Sequence, residues 1–168
     1  VGDHCIAVDP WFIVHGAPEH TPLIRTPREG NDGKVDHVIA QATALIEANP
    51  GKSVGLLGLA FKANIDDFRE SPAKKVAAAL AHKFGNRVHV VEPYAAALPN
   101  EFDGSGAALT DIDSALLDCD ILIPLVDHDA FKAIPLAERS AKLVYDTRGI
   151  WPDQPAATSH SVPLRLVG

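Results

Sequence analysis

A cysteine set between a histidine and an aspartate opens this chain, in the run His4-Cys5-Ile6-Ala7-Val8-Asp9 ahead of Pro10-Trp11-Phe12. A reactive thiolate needs partial exposure and a neighbour able to stabilise charge, so Cys5, among polar neighbours, is the cysteine that could do chemistry. The same residue could equally serve as a small core hydrophobe. The second of the two cysteines, Cys119, precedes the apolar run Ile121-Leu122-Ile123 and reads as covered. A cysteine-phosphatase loop is excluded, because Trp11 stands where such a loop needs its phosphate-cradling arginine. Two further segments place a fixed cation after an apolar run: Ala60-Phe61-Lys62, and Asp146-Thr147-Arg148-Gly149. Lysine as a compact point charge and arginine as a planar fork together suit a diphosphate, and Phe61 could cover part of a ligand. Either cation alone is more often a solvated surface group.

The elements that must hold these residues follow from periodicity and turn chemistry. Residues 1–30 are rich in Pro and His without sustained periodicity, which predicts an extended or looped segment around Cys5. Val35, Val38, Ile39, Ala42, Leu45 and Ile46 recur at helical spacing, predicting a helix over 31–50 capped by Asn31 or Asp32 and closed by Asn49-Pro50-Gly51. Beyond it, short apolar runs at 53–59, 87–91, 120–126 and 142–145 read as strands. Segments 72–84 and 111–117 read as helices, the first with proline in its opening turn and Ser71 as N-cap. Residues 95–106 read as loop. Continuous apolar strands alternating with helices predict an α/β, Rossmann-like parallel sheet covered on both faces. Such sheets bind ligands at the carboxy ends of their strands, where Lys62 and Arg148 both fall. The organisation expected is a cysteine-bearing segment (1–30), an amphipathic helix (31–50) and a Rossmann-like domain (51–168).

Composition removes other classes. With 15 Lys and Arg against 22 Asp and Glu among 168 residues, the formal net charge of −7 argues against a nucleic-acid partner. The chain opens with no apolar leader or membrane span, and both cysteines read as unpaired, which together predict a cytoplasmic protein away from membranes. His15, His20 and His37 lack metal-ligand spacing and there is no Cys-x-x-Cys, so no metal site is expected. His128, between Asp127 and Asp129, reads as a solvated turn. A phospho-receiver domain is excluded because no aspartate pair ends the first strand.

The motifs already quoted, with Gly58-Leu59-Ala60-Phe61-Lys62, Arg69-Glu70-Ser71-Pro72 and Asp146-Thr147-Arg148-Gly149 in that order, resemble the UDP-glucose/GDP-mannose dehydrogenase family. The amino-terminal run His4-Cys5-Ile6, with Asp9-Pro10-Trp11-Phe12, is most similar to the branch that oxidises 2-acetamido sugars. The resemblance implies UDP-sugar contacts at Phe61, Lys62 and Arg148, and a cofactor contact to NAD at Arg69, which could instead pair with adjacent carboxylates. It implies Cys5 as nucleophile with Asp9 as its acidic partner. The implied chemistry is a two-step oxidation of the sugar C6 alcohol to a carboxylate through a cysteine thiohemiacetal and thioester, with NAD as acceptor. Family members begin with a dinucleotide-binding domain bearing Gly-x-Gly-x-x-Gly, for which Gly55-Leu56-Leu57-Gly58 has the wrong spacing. The implied partners are therefore that amino-terminal domain, a UDP-sugar and a second subunit docked through the helix at 31–50, which the resemblance makes a linker. Relatives place glycine where Asp3 stands. Two other readings stay open: a UDP-glucose 6-dehydrogenase, and a non-catalytic nucleotide-binding or dimerisation module.

Overall fold

The computed structural model describes residues 4–153, with side chains from Val8 onward. Asp3 lies outside the described residues. Parallel strands β1 (Val54–Leu57), β2 (Val88–Val91), β3 (Ala108–Thr110), β4 (Ile121–Pro124) and β5 (Leu143–Val144) form one sheet in the order β3-β2-β1-β4-β5. Leu56 sits in register with Val90 on one side and Ile123 on the other. The order runs outward from β1 in both directions, so the chain switches sheet sides between β1 and β4, the crevice where open sheets take ligands.

Side-chain alternation along the strands divides the core. Val54, Leu56, Val88, Val90, Ile121 and Ile123 pack under helices α2 (Pro22–Glu47) and α3 (Pro72–Phe84). Leu57, Val91, Leu122 and Val144 face the opposite layer of α4 (Ile112–Asp118), Phe131, Ile134 and Trp151. Burial on both faces is why these strands read as unbroken apolar runs rather than as alternating ones. Helix α3 has the bounds expected from sequence, since Pro72 fits the first turn and Ser71 accepts a hydrogen bond from the Lys74 amide as N-cap. Asp111 caps α4 in the same way through the Ser114 amide. Two short helices, α5 (Asp129–Lys132) and α6 (Leu136–Arg139), follow β4.

Three expectations are corrected. The segment around Cys5 is helical, not looped: α1 spans His4–Gly16 and includes Pro10. Apolar residues surround α1 on several sides, so it shows no single hydrophobic stripe to betray the period. Helix α2 begins at Pro22, not near residue 31, and runs through Pro27, Gly30 and Gly33. Thr21 stands at its N-cap, and Asp32 pairs with Arg28 at 2.7 Å inside the helix instead of capping it. The edge strand β3 was not anticipated, being three residues long and partly exposed. Among the described residues no helix is long and apolar enough to cross a membrane.

Candidate functional site

Immediately after β1 the chain turns at Gly58, whose φ of 101° is open to glycine but strained for other residues. A Cβ there would sit 2.5 Å from Val126 Cβ, so the β1 and β4 ends approach as closely as backbone allows. The loop that follows carries Phe61 and Lys62, with the Lys62 ammonium 5.9 Å from the Phe61 ring centroid. The Phe61 amide donates to the Asp67 carbonyl at 2.8 Å. Ser71 ties this loop to α3, its hydroxyl donating to the Ala60 carbonyl at 3.1 Å.

Arg148 stands beyond β5 on a turn organised by one carboxylate. Asp146 accepts from the amides of Arg148 (3.0 Å), Gly149 (2.8 Å) and Trp151 (2.8 Å). Gly149 takes a φ of 69°, and the Trp151 indole donates to the Phe131 carbonyl, tying the turn to helix α5. The Arg148 guanidinium meets Asp127 at 2.9 Å. Partial burial lifts the Asp127 carboxyl, but the charge and hydrogen bond of Arg148, a local backbone hydrogen bond and the charge of Lys132 together outweigh it and hold the group below the usual carboxylate range.

Phe61, Lys62 and Arg148 all line one cleft of about 790 Å³ at the carboxy ends of β1, β4 and β5. Its far wall is α1 and α2, which contribute Val8, Trp11 and the buried Arg28. The cleft's cations Arg28, Lys34, Lys62, Lys75 and Arg148 outnumber its carboxylates, against the acidic balance of the chain. That local excess suits a polyanionic ligand.

The remaining expected residues divide. Cys5 belongs to α1, the helix whose Val8 and Trp11 line the cleft; its side chain lies outside the described residues. Asp9 is exposed on the same helix and is not part of the cleft lining. Arg69 is held in a two-point ion pair by Asp67, at 2.9 and 2.8 Å, away from the cleft lining. Cys119 is buried, and burial pushes its thiol up to about 11, so it stays protonated and inert.

Sequence reasoning missed a buried pair behind the loop. Glu92, at the end of β2, accepts from the Leu59 and Ala60 amides at 2.7 and 3.1 Å and lies 3.3 Å from His128 Nε2. His128 is wholly buried, so its reading as a solvated turn is corrected: the ring packs against Tyr94 and Phe131. The signal available was a carboxylate terminating an apolar strand, His89-Val90-Val91-Glu92. In a dinucleotide-binding sheet that position meets a ribose, while the amides after the first strand meet the pyrophosphate. Here the carboxylate takes the amides itself, so the end of β1 does not offer NAD a pyrophosphate site of that kind.

The sequence model of the UDP-glucose/GDP-mannose dehydrogenase family, UDP binding domain, matches residues 55–153. The UDP-N-acetyl-D-mannosamine dehydrogenase of Salmonella typhimurium is 47% identical over 159 residues, covering 90% of this chain and 38% of that protein. An NDP-N-acetyl-D-galactosaminuronic acid dehydrogenase of Ralstonia solanacearum is 42% identical over 151 residues, covering 90% of this chain and 35% of its own length. Among solved structures, the UDP-N-acetyl-mannosamine dehydrogenase of S. aureus superposes with a TM-score of 0.68 at 30% identity, over 89% of this chain and 35% of that one. The chain thus spans well under half of the relatives it matches.

Proposed function

The chain belongs to the UDP-glucose/GDP-mannose dehydrogenase family, and we propose that it is the UDP-sugar-holding part of a UDP-N-acetyl-D-mannosamine 6-dehydrogenase. The observation that carries this reading is the convergence of Phe61, Lys62 and Arg148 on a single cation-rich cleft. In it Lys62 and Arg148 take the diphosphate from two strand ends, and Phe61 covers an apolar face of the ligand. Binding the diphosphate between two independently mounted cations fixes its place, and in this reading the sugar extends along the cleft toward the α1 wall. On that wall Cys5 serves as the nucleophile: its sulfur bonds to C6 of the sugar aldehyde, the carbonyl π bond breaks, and the thiol proton ends on the new hydroxyl. Asp9 is its acidic partner, orienting water for the closing hydrolysis.

Both oxidations need a hydride acceptor, which the resemblance gives as NAD. Because the amides after β1 are taken by Glu92, that acceptor belongs to the longer protein's additional domain, with Arg69 at its border. The exposed apolar side chains Phe12, Ile13 and Leu23 on α1 and α2, beside an apolar groove of about 660 Å³, give that domain or a second subunit a surface to cover.

Calorimetry of the chain with UDP, UDP-N-acetyl-D-mannosamine, UDP-glucose, uridine and NAD tests the reading. Binding of the UDP compounds, loss of affinity for uridine and none for NAD is expected. Equal affinity for uridine and UDP would take the diphosphate out of the site.

A further inference from the structure

Glu92 and His128 have no part in the chemistry just described, yet they are among the few polar side chains the core buries: Glu92 is 3% exposed and His128 0%. Burying a carboxylate and an imidazole is unfavourable unless each hydrogen-bonding position finds a partner. Here they do. Glu92 Oε2 accepts from the Leu59 amide (2.7 Å), the Ala60 amide (3.1 Å) and His128 Nε2 (3.3 Å), and Oε1 accepts from the Tyr94 amide (3.1 Å). His128 Nδ1 accepts from the Asn64 amide at 2.9 Å. An imidazole nitrogen that accepts carries no proton, so the ring's proton sits on Nε2 and points at Glu92. The pair is a neutral histidine donating to an ionised carboxylate.

These bonds grip the segment after β1 at two points, Leu59–Ala60 and Asn64, and Phe61 and Lys62 stand between them. The outer grip is doubled: Asn64 Nδ2 donates to Asp129 Oδ2 at 2.8 Å, and the Asp129 amide donates to Asn64 Oδ1 at 3.0 Å. Asn64 itself has a φ of 62°, a conformation asparagine adopts more readily than most residues. Elements distant in sequence, the ends of β2 and β4, thereby fix the geometry of one short arc.

We propose that Glu92 and His128 are positioning residues for ligand recognition, holding the 59–64 arc so that Lys62 and Phe61 meet the bound nucleotide. The proposal rests on the nucleotide-sugar reading above. Because Glu92 accepts from protein amides where the carboxylate of a dinucleotide site accepts from a ribose, the ligand is left the cleft shared by β1, β4 and β5.

The test is a double-mutant cycle on the full chain, read by calorimetry with UDP. Glu92→Gln keeps the side-chain volume, and Asn64→Gly releases the Asp129 link at a φ that glycine accepts, so each spares the core. Glu92→Gln is expected to weaken UDP by about tenfold and Asn64→Gly by about threefold, the loss of one charged and one neutral hydrogen-bond arrangement. In a background lacking both contacts, Phe61→Ala with Lys62→Ala, both losses should shrink toward nothing, because residues acting through Phe61 and Lys62 are not additive with them. Losses that stay additive, or an unchanged affinity in Glu92→Gln, overturn the proposal. Amide hydrogen exchange gives a readout free of ligand. Exchange at 59–64 should quicken in Glu92→Gln while that of β1 and β4 holds; no change at 59–64 defeats the brace, whereas absent UDP binding by the wild type defeats the nucleotide reading alone.

Discussion

Lys62 stands on a loop held from inside the protein, by a carboxylate and an imidazole that solvent barely reaches, while Arg148 stands on a turn held by the partly exposed carboxylates of Asp146 and Asp127, with buried Trp151 anchoring its far end. The two glycines in these turns repeat the contrast. Gly58 (φ 101°) is walled in by Val126, and Gly149 (φ 69°) has open space where a Cβ would point. One cation is therefore mounted on the core and the other on a solvated bracket. A ligand gripped by both is placed by the first, and the second has freedom to adjust to it.

The glycines offer the largest expected effect. Gly58→Ala combines a left-handed backbone with a clash that must shift Val126, and it should destabilise the chain by about 3 kcal/mol or more. Gly149→Ala meets only the backbone term, about 1 kcal/mol. Urea unfolding of the two variants measures the difference, and equal losses would erase the contrast.

Acid unfolding sharpens it. Burial lifts the Glu92 carboxyl, but hydrogen bonds from His128 and from the Leu59 and Tyr94 amides outweigh it and leave the group below its ordinary value. A carboxyl lowered in the folded state binds its proton later than the unfolded chain does as pH falls. Its stabilisation is complete above the ordinary glutamate range and is lost as pH drops through the lowered value. Glu92→Gln should therefore flatten the acid limb of Tm against pH. Asp127 is lowered too, yet its pair with the half-exposed Arg148 is screened by solvent, so Asp127→Asn should flatten the limb less. A larger effect from Asp127→Asn would reverse the assignment of inside and surface.

Thiol labelling is the smallest perturbation. With its thiol raised to about 11 behind Gly55 and Leu122, Cys119 should react with iodoacetamide in the folded chain far more slowly than Cys5, and urea should bring the two rates together. Equal rates in the folded chain would mean that the β1–β4 face opens to solvent.

What could be read from residues alone follows the same division. Helix α3 announces itself because Ser71-Pro72 is local start chemistry, and the four strands read correctly are buried on both faces. Helices α1 and α2 differ from the sequence expectation where Pro10, Pro22, Pro27 and Gly30 look like breakers. The first two of those prolines sit within or at the start of helices that packing sustains, and such tertiary override leaves no local mark. At the site, Lys62 and Arg148 were visible because each comes within three residues of the end of an apolar run. The Glu92–His128 pair was not, since its members are 36 residues apart and His128 lies between two aspartates that look solvated. Cations at strand ends are legible in sequence, whereas the groups that aim them depend on the sheet order.

The central claim, one diphosphate held from two strand ends, is tested most directly by calorimetry with UDP on the wild type, Lys62→Ala and Arg148→Ala. Removing either charged contact should cost roughly 1.5 to 3 kcal/mol of binding free energy, at least a tenfold loss of affinity, with the folded state intact. Equal affinity in all three proteins would contradict it.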